Sequence, residues 1–294
     1  MPIKLPLATL SATNIRSLLP TSASGCTIIY ASHARWPLPR QTDRSVTSIE
    51  RPLQVSVVDS SFNPPHAAHL ALAQHGHHDA VLLALTIANP DKGSIDPESV
   101  ANRLEMMRAV ARDLERRSAQ EPDGRPEWAN VAVAVLQAPT FTEKSEMLRR
   151  DLDALAQTQA DDSDASVRLT FGVGYDTLIR IFAPRYYQPP NPDLHTSMTD
   201  LLTRDDSRIA CARRGDVSPE EEHQFLTSKP VREWAERGKI DLFDIPDPTV
   251  QGISSTAIRA AASEKRWDDV SRSIPIPEVV EIIRSKRLYQ VQAN

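Results

Sequence analysis

The feature that most constrains the fold is a set of short, nearly continuous apolar runs, most of them followed by an amphipathic stretch. LQVSVVD (53–59), AVLLALTIA (80–88), VAVAVLQA (131–138) and VRLTFGVG (167–174) have the length of strands, and they lack the polar alternation of a strand with one wet face. Strands of this kind are covered on both sides. The segments AAHLALAQHG (67–76), ESVANRLEMMRAVARDLERR (98–117) and SEMLRRDLDALAQTQA (145–160) follow with helical patterning. In the second of these, Val100, Leu104, Met107, Val110 and Leu114 share one face. Strands that alternate with helices must be joined by crossovers, which predicts a largely parallel sheet with a helical layer on each face.

The rest of the chain continues the alternation. SRIACARRG (207–215) reads as a strand with a basic end and SPEEEHQFLTSKPVREWAERG (218–238) as one helix; KIDLFDIP (239–246) is a further strand, and STAIRAAASEKR (255–266) and IPEVVEIIRSK (276–286) are closing helices. A Pro-rich insertion, APRYYQPPNPDLHT (183–196), interrupts the order. The prediction is one α/β domain over 53–294, a Rossmann-like doubly wound, mostly parallel sheet with helices on both faces. Residues 1–52 form an N-terminal extension in which ATNIRSLLP (12–20) reads as a short helix and CTIIYA (26–31) as a strand packed on the domain. The first 42 residues contain no Asp or Glu and include Lys4, Arg16, Arg35 and Arg40, a composition that also resembles a transit peptide.

Charge and cysteine content exclude several classes of function. A formal net charge of -5 gives no basic footprint, so no nucleic-acid partner is expected and any polyphosphate must be gripped locally. The apolar runs are too short to cross a bilayer, so no membrane partner is expected. Cys26 and Cys211 are far apart, which argues against a disulfide framework and a thiolate zinc site. A reducing compartment follows, cytoplasmic or nuclear, with mitochondrial import as the alternative raised by the extension. Nothing in the sequence specifies an oligomeric state.

Just after the first of the strands comes SSFNPPHAAH (60–69), in which His66 and His69 stand three apart at the start of a helix. In a doubly wound sheet this is the carboxyl end of a strand, where ligands bind. Residues three apart on a helix share a face, and imidazoles beside the free N–H groups of a helix start suit an anion. The same spacing also serves metal ligation or no function at all. HGHH (75–78), past the helix end and without acidic partners, reads as a solvated turn. Toward the other end of the chain, Ser254, Ser255 and Thr256 supply hydroxyls and N–H groups where a helix begins, and Arg259 lies within a turn of that start. Such a run is also an ordinary helix cap.

Together, SSFNPPHAAH and GISSTAIR (252–259) resemble the two signatures of the nucleotidyltransferases that carry a phosphate-binding H-x-x-H motif. The second has the Ile-Ser-Ser-Thr-x-Ile-Arg form found in nicotinamide and nicotinate mononucleotide adenylyltransferases. NRLEMM (102–107), FGVGYDTL (171–178), SRIACARRG and IPIPEVVEIIRSKRLY (274–289) are similar to further segments of those enzymes, so the resemblance spans about residues 55–289 and is nearest the fungal branch. The cytidylyltransferase signature Arg-Thr-x-Gly-Ile-Ser-Thr-Thr and the synthetase pair His-Ile-Gly-His and Lys-Met-Ser-Lys-Ser are not present. Ser60 stands where the family usually has glycine, and a β-carbon there limits backbone approach to phosphate.

The resemblance implies an enzyme that takes ATP and nicotinamide mononucleotide as partners and forms NAD and pyrophosphate, with magnesium carried on ATP and no protein metal cage. It implies that His66 and His69 meet ATP phosphates, with His69 nearest the α-phosphate. Ser60, Ser61, Phe62, Arg213, Ser254, Ser255 and Thr256 are implied on the triphosphate, with Arg259 as its bidentate partner. Lys92, Arg103, Gly172, Gly174 and Asp176 are implied around the mononucleotide, with an aromatic stacking partner among Trp128, Phe141, Tyr175 and Tyr187. The alternatives are another nucleotidyltransferase of the same fold, or a nucleotide-binding, chaperone-like interaction protein with little catalysis.

Overall fold

The computed structural model describes residues 25–40, 51–89, 93–94, 96–120, 126–160, 164–189, 192–213, 215, 217–245, 247, 250 and 252–290. The predicted helix at 12–20 and Lys92 lie outside the described residues, as does Arg214, the neighbour of Arg213 that could equally have faced the triphosphate. Nine strands are present among those described: β1 (Gly25–Ala31), β2 (Leu53–Asp59), β3 (Ala80–Thr86), β4 (Ala88–Asn89), β5 (Gly93–Ser94), β6 (Val131–Gln137), β7 (Val167–Gly174), β8 (Arg208–Ala212) and β9 (Ile240–Phe243). Seven form the main sheet in the order β1-β6-β3-β2-β7-β8-β9. All neighbours are parallel except β1, which runs antiparallel along β6. Counting only the parallel strands, the order is third, second, first, fourth, fifth, sixth, the doubly wound pattern whose direction reverses between the first and fourth strands. That reversal lies between β2 and β7, where Val57 pairs with Leu82 on one side and Phe171 on the other.

The helices are α1 (Ala67–Gln74), α2 (Pro97–Ser118), α3 (Pro126–Ala129), α4 (Phe141–Gln159), α5 (Tyr175–Ile181), α6 (Leu194–Thr199), α7 (Pro219–Thr227), α8 (Arg232–Glu236), α9 (Ser255–Ser263), α10 (Trp267–Ser273) and α11 (Pro277–Ser285). Period-two alternation along the strands divides the core into two layers. Val131, Val133 and Val135 of β6 face one cluster, with Leu104 of α2 and Ile283 of α11. Ala132, Ala134 and Leu136 face the other, with Leu148 and Leu152 of α4. Burial on both sides explains why these strands read as apolar runs.

The extension strand is part of the sheet. After β1 the chain turns so that Trp36 is buried in the same cluster as Ala132 and Ala134, where small side chains leave volume for an indole. Asn130, itself buried, donates to the carbonyls of Pro37, Leu38 and Asp79 at 2.9, 3.2 and 2.8 Å, which ties the 33–38 segment to the loop before β3.

Several boundaries differ from the periodicity. The apolar run 80–88 ends as a strand at Thr86, and Ala88–Asn89 pair instead with Gly93–Ser94 in a separate two-stranded ribbon. The single helix predicted over 218–238 is two, because Pro230 offers no N–H and disfavours helix at Lys229. Helix α4 begins four residues before the predicted start, at a Thr140 cap that accepts from the Glu143 N–H and receives Glu143 in return. The Pro-rich insertion holds a 3-10 turn Pro184–Tyr186 and α6, which runs into a π-helical turn Asp200–Arg204.

Trp36→Ala should lower the free energy of unfolding in urea by about 3–5 kcal/mol, the usual cost of truncating a buried aromatic. A change below about 0.5 kcal/mol would show the segment to be a dispensable decoration.

Candidate active site

The site is built on the loop between β2 and α1, at the switch point. Two contacts fix the end of β2. Asp59 takes the Lys144 ammonium of α4 at 2.5 Å and the Thr86 hydroxyl at 2.7 Å, which joins the carboxyl ends of β2 and β3 to the first turn of α4. Both partners of this ion pair are largely buried. Ser60 then extends the ladder, its N–H donating to the Ala84 carbonyl at 3.2 Å. That N–H is therefore not open to a phosphate, and Ser60 presents its hydroxyl instead.

From Phe62 onward the loop turns into the helix. Phe62 has φ +44 and is fully buried, a left-handed conformation rare for a bulky residue and sustained by packing of its ring 4.8 Å from that of His69. His66 caps α1, and the imidazoles of His66 and His69 lie with centroids 4.0 Å apart. The His66 N–H donates to His69 Nδ1 at 3.0 Å, while His69 Nε2 and the Ser60 hydroxyl are 2.8 Å apart. His66 Nδ1 is buried without a hydrogen-bond partner, a condition a bound anion or its hydration would relieve. Burial pushes the His66 imidazole down to about 4. Burial first, and the neighbouring His66 ring second, hold His69 well below the usual imidazole range. Both rings are neutral at pH 7, so they supply hydrogen bonds rather than charge.

Charge comes from two guanidiniums. Arg259 of α9 donates to the Asn63 carbonyl at 2.8 Å and to the Thr256 hydroxyl at 3.0 Å; Ser255 donates to the Pro64 carbonyl at 3.0 Å. Arg103 of α2 donates to the Ser61 carbonyl at 3.2 Å and to the Ser99 hydroxyl at 3.1 Å. Burial lowers the Arg103 pKa, and the nearby Arg259 charge acts in the same direction. Among the described residues neither guanidinium is ion-paired with a carboxylate. Two cations this close together beside the start of α9, with Asp96 acting on Arg103 only through its field and not as an ion pair, suit a polyanion. Ser254 caps that helix through the Ala257 N–H at 3.2 Å. The two histidines and Arg259, distant in sequence, thus converge on the single loop 60–66.

Other implied residues fall elsewhere. Arg103, implied on the mononucleotide, lies near Arg259. Arg213 is held by Glu222 in a two-pronged pair, with a further contact to Asp244 at 3.3 Å. Gly172 lies under α1, where an added β-carbon would sit 3.7 Å from the Leu72 side chain, an ordinary contact. Gly174 caps α5, Asp176 is exposed in its first turn, and Tyr175 and Tyr187 are buried. His75 stacks on Phe243 at 3.4 Å and bonds Asp241, so the HGHH segment is not simply a solvated turn. The sequence reading missed Asp59, Lys144, Asn63 and Tyr289. The Tyr289 hydroxyl donates to Asn63 Oδ1 at 2.8 Å, close to both Arg103 and Arg259. A lysine facing the apolar side of an amphipathic helix was the available signal for Lys144; for Tyr289 there was none beyond its place in the terminal segment.

The sequence pattern of the cytidylyltransferase-like family matches residues 57–261, a span that includes both signatures. The chain belongs to the cytidylyltransferase-like family. As a member of it, the chain is a nucleotidyltransferase, and the converging loop 60–66 and α9 lie within the matched span. A relative from Schizosaccharomyces pombe that carries the provisional name nicotinamide mononucleotide adenylyltransferase is 26% identical over 263 residues, covering 85% of this chain and 94% of its own. A Plasmodium falciparum nicotinic acid mononucleotide adenylyltransferase, solved with NaAD, superposes with a TM-score of 0.50 at 15% identity, covering 81% of this chain and 97% of its own. That likeness establishes the α/β fold.

Because the His66 ring is neutral in the fold down to about pH 4 but titrates near 6.5 in the unfolded chain, the unfolded state binds more protons between these values. Stability should therefore fall as pH drops from about 6.5 toward 4, with His69 acting in the same sense. Urea unfolding across this range should show a shallower pH dependence for His66→Gln; an identical slope would mean His66 is not buried neutral.

Proposed function

We propose that the chain is a pyridine-mononucleotide adenylyltransferase that joins nicotinamide mononucleotide to ATP, forming NAD and pyrophosphate. The observation that supports this reading most is the meeting of the loop 60–66 with α9 around two guanidiniums that form no ion pair among the described residues. The names of the two relatives agree with a pyridine-mononucleotide adenylyltransferase, one naming the nicotinamide and the other the nicotinic acid form, as does the Ser-Ser-Thr-x-Ile-Arg form of the second signature.

In this reaction an oxygen of the mononucleotide 5′-phosphate attacks the α-phosphorus of ATP. The new P–O bond forms as the bond between the α-phosphorus and the bridging oxygen breaks, and pyrophosphate departs with that electron pair. The nucleophile is already an anion near neutral pH, so no general base is needed; alignment and charge stabilisation are what the protein supplies. ATP enters as its magnesium complex, the metal held by phosphate oxygens and water. Arg259 and Arg103 face the β- and γ-phosphates and the charge that develops on pyrophosphate. The N–H groups of Ser61, Phe62, Ser255 and Thr256, none with an acceptor among the described residues, offer further donors to phosphate oxygens. His66 directs its unpartnered Nδ1 to the same anion. The mononucleotide lies toward the carboxyl end of β7, with Asp176, exposed in the first turn of α5, as a polar contact. We place the enzyme in a reducing compartment, cytoplasm or nucleus.

Purified protein incubated with magnesium, ATP and nicotinamide mononucleotide should release NAD and pyrophosphate in equal amounts. CTP should not replace ATP. Arg259→Ala should lower kcat/KM about 100-fold. ATP binding without pyrophosphate release in the presence of either mononucleotide would contradict the reading.

A further inference from the structure

The two ring nitrogens of His69 are already committed inside the protein. Nδ1 accepts the His66 N–H at 3.0 Å, and a ring nitrogen that accepts cannot carry the proton of a neutral imidazole. The proton is therefore on Nε2, which makes Nε2 the donor in its 2.8 Å contact with the Ser60 hydroxyl. His69 is only 5% exposed, its ring packed at a tilt between those of Phe62 and His66, so it has little freedom to swing toward a ligand. Ser60, in contrast, is half-buried, and its N–H is spent on Ala84. Its hydroxyl accepts from His69 and keeps one proton to give.

We propose that the Ser60 hydroxyl is the phosphate contact on this side of the site, and that His69 acts through it as a positioning residue. The chain of donors runs from the His66 N–H to His69 Nδ1, from His69 Nε2–H to Ser60 Oγ, and from Ser60 O–H to a phosphoryl oxygen of the nucleotide. Each donor polarises the next, so the serine proton is a stronger donor than that of an isolated hydroxyl. The acceptor is a phosphoryl oxygen at the carboxyl end of β2, beside the Arg103 and Arg259 guanidiniums. The hydroxyl thereby supplies a donor to the nucleotide that a glycine at position 60 could not. The inference rests on the nucleotidyltransferase reading for its ligand, but its hydrogen-bond pattern stands without it.

The test is a double-mutant cycle in the full chain with magnesium, ATP and nicotinamide mononucleotide. Ser60→Ala should lower kcat by about 10- to 100-fold with the KM for ATP changed less than about threefold, and Ser60→Thr should recover most of the rate. Ser60→Ala combined with His69→Ala should lose no more than the larger single loss, since the two act as one unit. Wild-type kcat in Ser60→Ala, or additive losses, would overturn the proposal. Histidine-labelled nitrogen-15 NMR provides a readout that needs neither turnover nor the His69 variant. The free protein should show His69 protonated on Nε2, and that resonance should move on addition of magnesium and ATP and in Ser60→Ala. Protonation on Nδ1, or no response to ATP, would overturn the relay whatever the enzyme makes. If the wild type formed no dinucleotide while the NMR responses appeared, the reaction would be wrong and the relay retained.

Discussion

The structure depends on how four carbonyl and amide oxygens of one loop are satisfied. The carbonyls of Ser61, Asn63 and Pro64 and the Asn63 side chain accept, in turn, from Arg103, Arg259, Ser255 and Tyr289. These donors belong to α2, α9 and the segment after α11, all on the same helical layer. A loop left to itself would lose several kcal/mol of conformational entropy in taking a fixed shape. Here that cost is offset by hydrogen bonds from elements already held in place by the core. The same groups that give the loop its shape bring positive charge to it, so folding and the assembly of the anion site are a single event.

The electrostatics of the site follow from this division of labour. Desolvation makes the buried imidazoles neutral, and a neutral imidazole can be oriented by its neighbours without repelling the cations nearby. Arg103 keeps its charge although burial lowers its pKa, because that pKa starts so high. A chain with net charge of -5 can thus hold a polyphosphate by concentrating two positive charges at one loop and leaving the rest of its surface acidic. On the opposite side of β2, the Asp59–Lys144 pair contributes no net charge and serves to hold the strand end where Ser60 begins. Replacing either partner alone would leave a buried charge uncompensated, which is the costly change.

How much of this the sequence disclosed follows from the range of the interactions involved. Strands β2 and β7 have the predicted limits because period and burial are local properties, and the parallel sheet follows from alternation alone. The split of the 218–238 helix was legible in Pro230 and was outweighed by the apolar pattern around it. The convergence of His66 with Arg259 was legible only through the resemblance of two motifs, since nothing local links them. The Ser60–His69 contact, the Tyr289 anchor and the neutral state of both imidazoles are tertiary facts, set by depth of burial and by partners up to 226 residues away.

The central claim is that the β2–α1 loop and the start of α9 form one receptor for a triphosphate. Amide hydrogen exchange with and without magnesium and a non-hydrolysable ATP analogue tests it most directly. Slowed exchange should appear together in residues 60–66 and 254–259, with the same dependence on nucleotide concentration. Protection confined to one of the two segments, or different midpoints for the two, would contradict a single site.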